Sequence, residues 1–101
     1  MDMEVQHNKD NSIIFINKDQ LLGTENVTFH ALIKKSIDEG SKNITVDLSK
    51  VKFVTSLGIE GFLHARASCK DKNVNFTLKN VNDSVTKIFS TLKLTDLFNI
   101  K

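Results

Sequence analysis

The sequence predicts an α/β fold with a mixed, mostly parallel sheet of four to five strands, flanked by three or four helices. Short runs rich in β-branched residues alternate along the chain with segments whose apolar residues recur at helical spacing. Strands that alternate with helices indicate a largely parallel sheet built by right-handed crossovers. The 101 residues are enough for one hydrophobic core and too few for two.

The N-terminal part of the chain contains two predicted strands and a helix. Residues 13–16 form an apolar run typical of a buried strand, and a strand at about residues 3–7 would pair with it across a polar turn. The helix is predicted to open at Thr24, a good N-cap residue, with Glu25 in its first turn. Gly40 suits the C-terminal stop of this helix.

The rest of the chain continues the alternation. Residues 44–48 are short, β-branched and bounded by polar residues, which is typical of a strand. The other predicted elements are, in order, a helix from Ser56 or Leu57 that closes at residues 70–73, a strand at 74–78, a helix capped within 80–83, and a terminal strand at 97–100. The predicted order is therefore β-β-α-β-α-β-α-β.

Composition and charge disfavour several function classes. The 14 basic and 12 acidic residues nearly balance, for a net charge of +2, and no basic block marks a nucleic-acid-binding arm. No apolar run approaches the length of a membrane span, and the first residues hold no signal-peptide core. Cys69, the only cysteine, falls in a predicted helix and suits a packing role in a reducing compartment. We therefore expect a cytoplasmic protein with neither a membrane span nor a nucleic-acid partner.

Residue patterns typical of enzymes and cofactor sites are missing. The sequence has no G-x-x-x-x-G-K-[ST] loop and no G-x-G-x-x-G turn, so the standard nucleotide cradles are absent. The three histidines, His7, His30 and His64, are far apart and lack companion ligands at metal spacing. Ser56 has no G-x-S-x-G elbow and no evident His and Asp partners. We expect no metal, no cofactor and no enzymatic activity.

The Thr55-Ser56 pair, where an apolar stretch runs into the second helix, is the candidate site. A local interpretation is that a hydroxyl caps the first helical turn. Two glycines follow, and each costs about 1 kcal/mol relative to alanine inside a helix, which indicates a close backbone approach. A smooth stripe of small residues, which either packs inside the domain or receives a partner, comprises Gly58, Gly61, Ala65 and Ser68. Of these two interpretations, we favour packing.

These segments resemble the STAS domain family, as found in bacterial anti-sigma factor antagonists. The clearest part is residues 44–59, where a strand ends in Asp-Leu-Ser and a short turn and an apolar pair lead to the hydroxyl junction and an apolar helix. Residues 74–82 and 92–98 also follow the family's pattern, so the resemblance covers about residues 13–100. It implies a single STAS-like domain over residues 1–101.

The resemblance also implies a mechanism of regulation. In the family, the serine of this motif is phosphorylated by a partner kinase that is itself the anti-sigma factor, and phosphorylation breaks the complex. Ser56 would be the phosphoacceptor, and the partners would be an anti-sigma factor/serine-protein kinase of the histidine-kinase-like ATPase fold and a PP2C-type phosphatase. The partner-binding residues implied in this way are Thr24, Thr55, Ser56, Leu57, Gly58, Glu60 and Gly61.

Two departures from the motif keep alternatives open. Thr55 stands where the family has an aspartate, and Leu57 where it has a second serine. Thr55 is therefore an alternative acceptor. A second function is that of a constitutive STAS subunit that binds the ATPase of a lipid-transport ABC system, because such domains often vary around a threonine in this motif. A third is an enzyme or small-ligand binder on the same scaffold, for which the sequence offers the least support.

Overall fold

The computed structural model describes residues 2–100, which contain six strands and three helices. In chain order they are β1 (Met3–Asn8), β2 (Asn11–Ile16), β3 (Gln20–Leu21), α1 (Asn26–Asp38), β4 (Asn43–Asp47), β5 (Phe53–Val54), α2 (Ser56–Asp71), β6 (Asn75–Lys79) and α3 (Asp83–Thr91). In this part of the chain, no helix has both the length and the apolar character needed to cross a bilayer.

The main sheet has four strands in the order β1-β2-β4-β6. β1 is antiparallel to β2, whereas β2, β4 and β6 are mutually parallel. This confirms the predicted mixed, mostly parallel sheet and its three flanking helices. The short strands β3 and β5 form a separate parallel pair, in which Leu21 lies opposite Val54. This pair is not predictable from the sequence because strands of two residues carry no periodicity.

The helices cover one face of the main sheet. Ile14, Val46 and Leu78 are successive partners across β2, β4 and β6, and all three are buried. Their neighbours one position earlier in each strand are half-buried or exposed. Since alternate residues of a strand point to opposite faces, the core lies between the helices and one face, and the other face meets solvent.

Phenylalanine side chains form the centre of this core. Phe62 of α2 packs edge-on against Phe29 of α1, with ring centroids 5.5 Å apart. It also contacts Phe89 of α3 at 6.2 Å and Phe98 of the C-terminal segment at 6.5 Å. One side chain of α2 therefore joins the other two helices and the end of the chain.

The predicted terminal strand at residues 97–100 is wrong. This segment is a series of turns, in which the Phe98 N–H donates to the Leu94 carbonyl at 3.2 Å and Asn99 has a φ of 55°. The Phe98 ring is 2% exposed and belongs to the aromatic core. A turn that buries one phenylalanine satisfies the same apolar pattern as a short strand, so the sequence alone did not separate the two.

The predicted helix ends agree with the structure at three places. Gly40 follows the C-cap of α1 with a φ of 93°, and its N–H donates to the Ile37 carbonyl at 3.0 Å. This is the left-handed termination that glycine favours. α2 ends at Asp71, within the predicted closing segment. At the start of α3, the side chain of Asn82 accepts the Val85 N–H at 3.0 Å.

Cys69 lies buried in α2, as predicted for a packing residue. Burial raises the pKa of its thiol to about 11. Since the thiolate is the reactive form, we expect negligible labelling by Ellman's reagent in the folded protein at pH 8, and about one thiol per chain after unfolding in guanidinium. Rapid stoichiometric labelling without denaturant would contradict this expectation.

Candidate functional site

Thr55 is the N-cap of α2, and Ser56 is the first helical residue. The Thr55 hydroxyl accepts the Gly58 N–H at 3.2 Å and donates to the Leu21 carbonyl at 3.4 Å. Threonine and aspartate are both effective N-caps, so the replacement of the family's aspartate retains the cap. The capping role proposed for this hydroxyl pair therefore belongs to Thr55.

Ser56 is exposed at the start of α2. Among residues 2–100, its hydroxyl has no hydrogen-bond partner, whereas the half-buried Thr55 hydroxyl has two. The first turn of α2 holds no acidic residue. Leu57, next in sequence, leaves 58% of its surface exposed. An unengaged hydroxyl and an apolar side chain thus lie side by side on the surface.

Gly58 lies directly on the backbone of β3. The Thr55 N–H donates to the Leu21 carbonyl at 2.9 Å, which fixes that oxygen beneath the first turn of α2. A β-carbon on Gly58 would lie 2.7 Å from the same oxygen and 3.0 Å from a methyl group of Val54. This confirms the close backbone approach predicted from the glycines.

Gly61 is covered by α1. The side chain of Asn26 lies where a β-carbon of Gly61 would be, and its Nδ2 donates to the Leu57 carbonyl at 2.9 Å. Ala65 further along the stripe is also buried. The stripe of small residues therefore packs inside the domain, and Gly58 and Gly61 support the site from beneath instead of presenting a free surface.

The N-cap predicted at Thr24 is wrong. α1 begins at Asn26, so Glu25 occupies the N-cap position, where its side chain makes no capping hydrogen bond. Thr24 is exposed in the preceding turn. The helix begins later than predicted because the Glu25 side chain bonds to the N–H groups of Leu22 and Gly23 and holds these residues in a turn before α1.

Glu25 is a buried acid that organises the loop before α1. Its Oε1 accepts the N–H groups of Leu22 and Gly23, both at 3.1 Å, and its Oε2 lies 2.7 Å from Lys18 Nζ. Burial alone would raise the pKa of this carboxyl. The hydrogen bonds from Lys18 and the two backbone N–H groups outweigh burial and lower the pKa to about 2, from an ordinary value of 4.5.

The lowered pKa of Glu25 predicts a specific acid sensitivity. Its contribution to stability is fully present above the ordinary pKa near 4.5 and is lost as the pH falls towards 2. We expect Glu25→Gln to lower the free energy of unfolding by about 1–2 kcal/mol at pH 7, because Lys18 is partly exposed and screened. In urea titrations from pH 7 to 2.5, this difference should shrink below pH 4.5. A difference that stays constant over that range would contradict the assignment.

Exposed apolar side chains surround the start of α2. Leu22 and Val27 are 42% and 82% exposed, and Phe53 on β5 is 47% exposed. Leu22 precedes Gly23, which lies against Leu57. Val27 follows Asn26, whose side chain bonds to the Leu57 carbonyl. Leu22 and Val27 therefore both belong near the start of α2, and exposed apolar surface of this kind marks interaction sites. We define the junction surface as Leu22, Val27, Ser56 and Leu57.

A shallow groove of about 390 Å³ continues from the junction surface between α1 and α2. Its lining residues are Asn26, Val27, His30, Glu60, Gly61 and His64. Glu60, one of the predicted partner contacts, is exposed here. His30 and His64 are also exposed. Within residues 2–100, no group of three or more His, Cys, Asp or Glu side chains is placed to hold a metal ion.

Two contributors to the site were not recognised in the sequence as site residues. Asn26 bonds to a residue 31 positions away, and no local pattern signals such a contact. The sequence alone indicates Glu25 only as an acid in the first helical turn. Its bond to the Leu22 N–H has the spacing of a capping box, but position 22 is a leucine and not Ser or Thr, so no motif signals it.

Comparisons with known proteins agree with this geometry. The family model of the STAS domain matches residues 2–101. A search of curated protein sequences finds no match. The unphosphorylated anti-sigma factor antagonist SpoIIAA is 17% identical, with a TM-score of 0.79 over 93% of this chain and 83% of that chain.

Two other solved structures share the fold. An anti-sigma factor antagonist from Mycobacterium paratuberculosis is 14% identical, with a TM-score of 0.78 over 95% of this chain and 80% of that chain. A sulfate transporter family protein from Wolinella succinogenes is 14% identical, with a TM-score of 0.80 over 90% and 73% of the two chains. Since identities this low show the shared fold alone, function has to be argued from the site.

Proposed function

The chain belongs to the STAS domain family, whose model matches residues 2–101, and on this basis we propose that it acts as an anti-sigma factor antagonist. In this proposal it is a regulatory binding module that binds an anti-sigma factor with serine-kinase activity. Phosphorylation at Ser56 switches the binding off. The observation that carries the proposal is the exposed, unengaged Ser56 hydroxyl at the first position of α2, beside the exposed Leu57.

Ser56 is a better acceptor than Thr55 on structural grounds. A kinase must reach the hydroxyl and remove its proton, and the Thr55 hydroxyl is half-buried and holds two hydrogen bonds. Phosphorylation of Thr55 would remove the O–H that donates to the Leu21 carbonyl and would place a charged group at a half-buried position. Phosphorylation of Ser56 breaks no such bond.

The position of Ser56 supports a switch that acts on binding and leaves folding intact. A phosphate would add a charge of about −2 at a helix N-terminus, where the dipole and the free N–H groups favour anions. No acid in the first turn of α2 opposes it. A partner seated on the junction surface would have to desolvate the phosphate, which is costly without a matching cation.

The proposed partners supply the chemistry. The kinase, of the histidine-kinase-like ATPase fold, would transfer the phosphate, and a PP2C-type phosphatase would remove it. This chain would contribute the acceptor hydroxyl and the docking surface, and would itself catalyse no reaction. In this proposal both partners would act in the cytoplasm, which is the location expected from the sequence.

The test is a pull-down from the native cytosol with wild type, Ser56→Ala and Ser56→Asp, read by mass spectrometry. We expect wild type and Ser56→Ala to recover a kinase-like ATPase, and Ser56→Asp to recover at least about tenfold less, which corresponds to about 1.4 kcal/mol of lost binding. Ser84→Asp is the matched control, because Ser84 is also an exposed serine at the start of a helix. Equal recovery with Ser56→Asp and wild type would refute the switch.

The alternative function is a constitutive subunit that binds the ATPase of a lipid-transport ABC system. Thr55 in place of the family's aspartate favours it, because that substitution removes the acid beside the acceptor. The same pull-down separates the two functions. A transporter ATPase recovered equally by wild type, Ser56→Ala and Ser56→Asp would support the alternative.

A further inference from the structure

We propose that Glu25 is a positioning residue for the junction surface, because its carboxylate fixes the loop that presses against the first turn of α2. This inference deepens the proposed function and rests on it for the effect on partner binding. The positioning itself is a property of the free chain and is testable without a partner.

The bonds of Glu25 are directed at the loop and not at its own helix. Its carboxylate accepts the N–H groups of Leu22 and Gly23 and the ammonium of Lys18, and it makes no capping bond to α1. The Glu25–Lys18 contact is the only salt bridge within residues 2–100. Glu25 itself is 8% exposed, so its bonds to the two backbone N–H groups are shielded from water, whereas the bond to the partly exposed Lys18 is screened.

The loop that Glu25 holds is in direct contact with α2. A β-carbon on Gly23 would come within 2.7 Å of the Leu57 β-carbon, so no free space separates the two. One residue before the loop, the Leu21 carbonyl accepts the Thr55 N–H at 2.9 Å. A shift of the loop towards α2 would therefore displace Leu57, and a shift that carries Leu21 with it would disturb the bond to the Thr55 N–H.

The consequence is a chain of contacts from a buried carboxylate to an exposed binding surface. Glu25 does not belong to the junction surface, yet it sets the position of Leu22 directly and of Leu57 through Gly23. Loss of the carboxylate should loosen the loop and let the first turn of α2 open locally. It should leave the strands of the main sheet unaffected.

Hydrogen exchange measured by NMR on the full ¹⁵N-labelled chain tests the positioning. In Glu25→Ala, we expect the β4 amides to exchange faster only by the factor that the loss of global stability explains. The Thr55 and Gly58 amides should exchange at least about tenfold faster than that factor. In Glu25→Gln, the side-chain oxygen can still accept backbone N–H groups, so we expect a smaller excess of about threefold. Glu25→Gln carries the test if Glu25→Ala does not fold.

Val74→Ala is the control, because it truncates a buried side chain at the C-terminal end of α2, where the Val74 N–H donates to the Cys69 carbonyl, whereas Thr55 lies at the other end of that helix. It should accelerate exchange only as much as it lowers global stability. The proposal is overturned if the Thr55 and Gly58 amides of the Glu25 variants follow the β4 amides, as they would if Glu25 had a general structural role.

A binding measurement separates this inference from the proposed function. We expect Glu25→Ala to recover at least about fivefold less kinase than wild type, and Val74→Ala to recover as much as wild type, since a loosened surface must be reordered on binding. Faster local exchange in a chain whose wild type recovers no kinase would uphold the positioning and reject the proposed function. If wild type recovers the kinase but the Thr55 and Gly58 amides of the Glu25 variants exchange no faster than the change in global stability explains, the proposed function is upheld and the positioning role is rejected.

Discussion

Phe62→Ala is expected to lower the free energy of unfolding by about 3–5 kcal/mol, because it removes a buried aromatic ring and leaves a cavity. The Phe62 ring is 1% exposed and contacts the rings of Phe29, Phe89 and Phe98. Those rings belong to α1, α3 and the C-terminal turns, so the cavity would open where all the helices meet. Since the whole domain is held by about 5–15 kcal/mol, the loss is a large fraction of the total.

Urea unfolding followed by circular dichroism measures this loss. Phe62→Leu, which keeps most of the apolar volume, should lose about 1–2 kcal/mol and provides a folded variant if the alanine variant unfolds. Phe53→Ala is the matched control, because Phe53 is 47% exposed, and it should stay within about 1 kcal/mol of wild type. Equal losses for Phe62→Ala and Phe53→Ala would show that Phe62 is not the centre of the core.

Gly58→Val is expected to lower the free energy of unfolding by about 3 kcal/mol, the upper range of an overpacked core. Its β-carbon would meet the Leu21 carbonyl oxygen at 2.7 Å, and the Thr55 N–H holds that oxygen in place. A backbone atom cannot rotate away as a side chain can. Gly58→Ala should lose less, about 1–2 kcal/mol, because the gain of about 1 kcal/mol in helix propensity offsets part of the clash.

Gly61→Ala is the control that separates a clash with a backbone atom from a clash with a side chain. The atoms that would meet its β-carbon belong to the side chain of Asn26, which can turn away at the loss of one hydrogen bond to the Leu57 carbonyl. That loss of about 1 kcal/mol nearly cancels the gain in helix propensity, so the stability should be close to wild type. Thermal unfolding measures the stabilities of the three glycine variants. A Gly58→Val variant as stable as Gly61→Ala would contradict the close contact between Gly58 and the Leu21 carbonyl.

The sequence was informative wherever several residues repeat a pattern. The β-branched run at residues 44–48 and the alternation at 74–78 predicted two of the three parallel strands to within one residue at each end. The pair β3 and β5 escaped detection because each strand has only two residues. Residues 97–100 were mistaken for a strand because burial of the single ring of Phe98 produces the same local signal as a short buried strand.

Only those residues of the candidate site that are adjacent in the sequence were predictable. The Thr55-Ser56 pair and Gly58 are adjacent in sequence, so a motif and helix propensity were sufficient to single them out. The roles of Asn26, Glu25 and Lys18 depend on which loop lies against α2, and that is decided by packing between segments about 30 residues apart. A contact between residues so far apart in the chain produces no periodic pattern from which a single sequence could predict it.

A threonine cap in place of an aspartate bears on signalling fidelity if Ser56 is the acceptor proposed above. The threonine keeps the cap and removes the charge directly before Ser56, so the first acid that follows in α2 is Glu60, one helical turn on. Under that proposal, kinases that choose a substrate by an acid directly before the acceptor would discriminate against this chain, and a kinase that accepts it would need an apolar recess for Leu57. Crosstalk among parallel pathways would then be suppressed by two departures, Thr55 and Leu57, that leave the architecture of the domain untouched.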